Sequence, residues 1–232
     1  MSSSTSRSGG TRRVQAVPTG WVMIGLAVAY AALFAGMLLS GGGETDTDAP
    51  GTQLIAEYDA SSATVHIAGY AGVVAAALLV FLGAGLRQML RRNRPSWTAD
   101  AAFGGAIAMA LALVCSVTTS FAMYNAVDTG SAEVVQAINV LDHAIFVPAM
   151  LGLACTTIGT GLAALRSGAL PTWLAIASVI IGGIASLGPG GFVPYTLFPV
   201  WIVGVAVLAT RRSSAEVATS EYTGFDQAPG LR

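Results

Sequence analysis

Of the 232 residues in this chain only 10% are charged and 54% are hydrophobic, where about a quarter of a soluble domain is charged. So few ionisable groups cannot cover the surface of a soluble fold of this size. The formal net charge of -1 leaves no basic face for a nucleic acid. The two cysteines, Cys115 and Cys155, both fall in apolar blocks, which excludes a disulfide framework or a Cys-x-x-Cys zinc site.

Taken in chain order, the apolar blocks predict about six membrane crossings, each near the roughly 20 residues needed to span about 30 Å of hydrocarbon. Residues 1–20 have the Ser, Thr, Gly and Arg composition of a disordered tail. The first span is predicted at 21–40. Its apolar run is longer than the 7–15 or so residues of a signal peptide and no Ala-x-Ala site follows, so it reads as an uncleaved anchor. Residues 41–62 form an acidic outer loop carrying Glu44, Asp46, Asp48, Glu57 and Asp59. The second span, at 64–86, exits into Arg87, Arg91, Arg92 and Arg94, and Pro95 and Ser96 then offer a helix start for a third span at 101–124. The fourth is placed at 138–165, with helical periodicity reaching back to Ala132. A turn at 166–171 leads to a short fifth span at 172–187. Gly188, Pro189, Gly190 and Gly191 end it, and a sixth span at 192–210 stops at Arg211 and Arg212 before a tail at 211–232 read as disordered. A five-span chain, with the last two blocks merged as a re-entrant element, is the alternative. The fold class is therefore all-α, a polytopic transmembrane bundle.

The arginines orient it. All 11 basic residues are arginine, and in a six-span chain those next to the spans fall on one side, while the loops of the other side carry none. By the positive-inside rule both termini are cytoplasmic. Trp21, Trp97 and Trp173 each open a span on that same side, 76 residues apart and each just after a proline. Indoles favour the headgroup level. No further side-chain match links the three hairpins, so shared interface chemistry is the favoured account of the spacing, with internal repetition of one hairpin as the alternative.

Few polar residues enter the spans, and an unpaired charge in lipid costs several kcal/mol. His66 stands near the outer end of the second span. Asn139, Asp142 and His143 stand close together on the fourth, with Asn139 and His143 four apart on one face. One reading brings His66, Asn139, Asp142 and His143 into an outward-facing polar site for transport or sensing. Two histidines at matched depth would also suit a haem or metal. The other leaves Asp142 and His143 in the headgroup region, marking where the helix enters the bilayer. Tyr30, in mid-span, is expected to find a partner in the bundle. Trp201 needs an acceptor for its indole N–H and is expected to face the bundle. Small residues four apart, such as Gly104 with Ala108, Gly152 with Thr156, Gly159 with Ala163 and Gly182 with Ser186, suit close helix packing.

The glycines at 188–191 lack a Walker lysine and a preceding strand. No nucleophile elbow, zinc-protease motif or nucleotide fingerprint is present. These residues imply no cofactor and no metal, and the bilayer is the one partner they require. They favour a non-enzymatic structural, accessory or partner-binding role, with a membrane protein or a second copy as the partner; a small transporter or sensor is the alternative. At 165–173 the chain reads Leu-Arg-Ser-Gly-Ala-Leu-Pro-Thr-Trp, and there it resembles a set of actinobacterial multi-pass membrane proteins of unknown function. The Arg-rich exit at 86–92 and the closing Arg211 and Arg212 are similar to that set as well. The resemblance implies a plasma-membrane protein and supplies no activity.

Overall fold

The computed structural model describes residues 19–40, 49–91, 95–187 and 191–226. Within them the chain folds as six α-helices: α1 (Thr19–Ser40), α2 (Gly51–Leu90), α3 (Trp97–Thr129), α4 (Ala132–Ser167), α5 (Thr172–Ala185) and α6 (Phe192–Asp226). Five of them contain stretches long and apolar enough to cross a membrane, and α5 is a shorter apolar helix. The predicted tails at 1–18 and 227–232 and the loop segment 41–48 lie outside the described residues.

Consecutive helices run up and down. The two tightest connections are set by their turn residues. Gly130 ends α3 with φ 69° and Ser131 begins α4, while Gly168 ends α4 with φ 71° and Pro171 begins α5. Only glycine takes this left-handed conformation without a steric cost. Both turns reverse the chain.

All described arginine side chains lie at one end of the bundle. Asp100, in the first turn of α3, takes Arg87 at 2.6 Å and Arg91 at 3.2 Å from the last turns of α2. Arg166 stands over the Trp97 ring, and Arg212 donates to the carbonyls of Gly168 and Leu170, tying α6 to the α4–α5 turn. Trp21, Trp97 and Trp173 are all exposed at this end. Sequence reading counted only the arginines here; Asp100 makes the same segment a half-exposed ion-pair cluster.

The helices differ in how far they reach from that end. At 1.5 Å per residue α2, α3 and α4 are about 50–60 Å long, well beyond the roughly 30 Å of a bilayer core. Their far ends build a second, separate core from Ala49, Leu54, Met123, Ala126 and Val135. The segment 51–62, read from sequence as loop, is thus the first turns of α2, with Leu54 packed into this layer. Likewise the backbone of α6 stays helical to Asp226, so 211–226 is helix where a tail was expected. By contrast α5 has 14 residues, or about 21 Å. The third hairpin turns back early: Gly191 lies against Met150 of α4 and the carbonyl of Ala185.

Glycine sets the spacing of α3 against α4. A Cβ at Gly152 would stand 2.6 Å from the backbone nitrogen of Met109 and 2.8 Å from the Gly105 carbonyl, and one at Gly159 would stand 2.7 Å from the Ala102 nitrogen. The two backbones therefore touch directly, as small residues allow inside membranes. Gly182 of α5 fits against Thr157 and Ala154 of α4 in the same way. Gly104, expected at such a contact, faces open space; its neighbour Gly105 occupies the seam.

Aromatic rings fill the space among α1, α4 and α6. Tyr30 and Phe34 contact Phe198 and Tyr195, and Phe198 stacks on Trp201. The Trp201 indole donates to the Ser178 hydroxyl at 2.9 Å, which in turn donates to the Leu174 carbonyl at 2.7 Å. That is the acceptor its depth requires. Tyr30 departs from expectation, since its ring is fully buried and its hydroxyl has no hydrogen-bond partner among the described residues. Its neighbours are rings, which offer little to a hydroxyl.

Candidate functional site

The α3–α4 contact follows two matched series of residues. On α3 it runs through Thr98, Ala102, Gly105, Met109 and Ala112, then Ser116, Thr119, Met123 and Ala126, always at intervals of four and three. On α4 the same alternation runs from Val135 through Asn139, Asp142, Phe146, Ala149 and Leu153 to Thr156, Thr160 and Ala163. Such alternation keeps one stripe facing a partner helix over many turns. Most positions are small or apolar. Thr156 and Thr160 satisfy their hydroxyls on their own helix, donating to the carbonyls of Gly152 and Thr156.

One layer breaks this pattern. Ser116 donates to Asp142 Oδ1 at 3.0 Å, and the Thr119 hydroxyl faces the same oxygen and the Ser116 carbonyl at 2.8 Å, with one proton to give to either. Charge-assisted hydroxyl bonds are the strong kind, and they hold the carboxylate between the helices. Oδ2 has no hydrogen-bond partner among the described residues. Asp142 is ten residues from the start of α4 and 24 from Arg166, about 15 Å and 36 Å along the helix. The carboxylate thus belongs to the end away from the arginines.

A cavity of about 480 Å³ opens beside it. From α3 come Met109, Ala112, Leu113 and Ser116; from α4, Asp142, His143, Ile145, Phe146 and Ala149; from α6, Phe192 and Tyr195. Its origin is the short third hairpin. α5 and α6 meet at the level of Met150, two turns below Asp142, so among the described residues only Phe192 and Tyr195, at the start of α6, reach the cavity from that hairpin. The space has the size and mostly apolar lining of a small-molecule pocket.

The sequence-predicted residues part company here. Asp142 and His143 both line the cavity. His143 donates from Nδ1 to the Asn139 carbonyl at 2.8 Å, and Asn139 itself is buried one turn further out. His66 is elsewhere, with its ring against Phe121 and Tyr124 of α3. Phe121 and Thr119 are two residues apart, about 200° around the helix, so α3 meets His66 and Asp142 with opposite faces. Among the described residues, no group of three or more His, Cys, Asp or Glu is placed to hold a metal.

Ser116, Thr119 and Tyr195 belong to the site and were not singled out from sequence. The four-three alternation would have found the first two, since it sets Ser116 and Thr119 in line with Gly105 and Met109. Nothing local marks Tyr195. Comparisons with protein-family models, with curated proteins and with solved structures return no match.

Proposed function

We propose that this chain is a non-enzymatic membrane protein that binds a small molecule in the Asp142 cavity, as a small transporter or sensor. The observation that carries the proposal is a carboxylate held at the wall of an apolar cavity with one oxygen that has no hydrogen-bond partner among the described residues. An ionisable group against an apolar wall is costly unless it has a partner, and a binding role explains its presence. Of the two non-enzymatic roles that sequence suggests, the cavity favours ligand binding over a purely structural part.

Several further elements of the reading rest on sequence. They are six crossings with α5 as the fifth, both termini cytoplasmic, residence in the plasma membrane and kinship with the actinobacterial set. The gathering of the described arginines and of Trp21, Trp97 and Trp173 at one end supports the orientation. In it the cavity faces outward. Pairing with a second copy or with another membrane protein stays part of the proposal.

Filling the cavity tests it. Ala112 lines the space and is itself buried, so Ala112→Trp fills part of the cavity. Thermal melts against a panel of small amphiphiles of positive, neutral and negative charge should reveal at least one that stabilises the unaltered protein. At a concentration 100 times its Kd such a ligand contributes about 2.7 kcal/mol, a rise of roughly 5–10 °C for a chain of this size. Ala112→Trp should abolish the shift. A panel in which no compound distinguishes the two proteins would overturn the proposal.

A further inference from the structure

The lining of the cavity restricts the chemistry of what it takes, given the reading above that it is a binding site. We infer that the ligand class is a lipophilic monocation, an apolar body bearing a single positive charge such as a quaternary ammonium or phosphonium.

The charge balance comes first. Among the described lining residues Asp142 is the one carboxylate, and His143, not an arginine, is the one basic side chain. The described arginines are grouped at the far end of the bundle around Trp97, Asp100 and Gly168, and Ser116 is 19 residues from Trp97, about 28 Å along α3. An anion would meet an unscreened carboxylate. A dication would leave one charge without a counter-charge in apolar surroundings.

The hydrogen-bonding capacity of the walls points the same way. Ser116 spends its hydroxyl proton on Oδ1, Thr119 has its one proton for Oδ1 or the Ser116 carbonyl, and the Nδ1 proton of His143 goes to the Asn139 carbonyl, which leaves the Tyr195 hydroxyl and His143 Nε2 as the further polar groups of the wall. A sugar or another many-hydroxyl solute would enter with most of its polar groups unmatched, at a cost for each. What the walls do offer is rings. Phe146 and Tyr195 meet edge to face with centroids 5.8 Å apart, and Phe192 completes that side. A cation gains from aromatic faces as well as from the carboxylate, and a group with no N–H needs no acceptor beyond the charge itself.

Two ions of nearly equal size and opposite sign make the test: tetraphenylphosphonium and tetraphenylborate, titrated calorimetrically into the purified full chain. The unaltered protein should bind the phosphonium at least tenfold more tightly than the borate. Asp142→Asn keeps an acceptor for Ser116 and Thr119 but removes the charge, and should lower phosphonium affinity at least tenfold. Ala112→Trp should lower it as well. Equal affinity for the two ions, tighter borate binding, no binding of either, or phosphonium binding unaffected by Asp142→Asn would each overturn the inference. The contrast between the ions on the unaltered protein decides the matter even if Asp142→Asn fails to fold. A neutral or anionic panel compound lost in Ala112→Trp, together with failure of the phosphonium, would sink the cation class and leave the cavity reading standing.

Discussion

Gly152→Leu should strongly destabilise the bundle, whereas Gly104→Leu should leave it intact. At Gly152 the added atoms meet the backbone nitrogen of Met109 and the Gly105 carbonyl within 2.8 Å, and backbone cannot rotate out of the way as a side chain can. Overpacking a tight core commonly costs about 1–3 kcal/mol, and with backbone on both sides we expect about 3 kcal/mol or more. That corresponds to a fall in Tm of roughly 6–12 °C, or to loss of the monodisperse species on size exclusion. A Cβ at Gly104 meets nothing within 4 Å. Equal behaviour of the two variants would mean that α3 and α4 do not share this seam.

The second large effect concerns the separate apolar layer at the far ends of α2, α3 and α4. Leu54 is fully buried against Met123, Ala126 and Val135, so Leu54→Asp places an unpaired carboxylate in an apolar cluster. The cost is on the order of 4 kcal/mol. Because this core is separate from the main one, the ends of α2, α3 and α4 should open while the rest of the bundle holds. Amide hydrogen exchange should accelerate up to about a thousandfold at 51–56 and 123–135, with little change at 145–165. Val134→Asp, at a position 48% exposed, is the control that should change little. Uniform acceleration along the whole chain, or none, would show that the outer layer is not a separate cooperative unit.

What the sequence makes legible here is what depends on local chemistry. Apolar length marks the helices, and the arginines and tryptophans mark one end, because each acts through its own contact with the interface. Trp201 could be placed in the bundle from the need of its N–H alone. Features that depend on register between helices were not legible. Ser116 and Thr119 reach Asp142 across 26 and 23 residues of chain, and only the paired four-three series aligns them.

The same holds for the cavity. That the fifth apolar block is short is plain from its residues. That its shortness uncovers Asp142 depends on where Gly161 meets Ala175 and Gly182 meets Ala154, which fixes how far α5 climbs along α4. The outer turns of α2 were missed for a compositional reason, since acidic and polar residues at 51–62 mask the buried Leu54. His66 was grouped with Asp142 by depth alone, and depth says nothing about which face of α3 a residue meets.

The central claim is that Asp142 and His143 line a solvent-accessible cavity in the part of the bundle away from the arginines. The most direct test is thiol reactivity at His143→Cys, in a chain whose Cys115 and Cys155 are replaced by alanine, using a membrane-impermeant maleimide on intact cells. His143 is exposed and lines the cavity, whereas Met150, two turns deeper, is 5% exposed. The account predicts rapid labelling at His143→Cys from outside and none at Met150→Cys. Labelling at His143→Cys only in inverted vesicles, or reactivity there as low as at Met150→Cys, would contradict it.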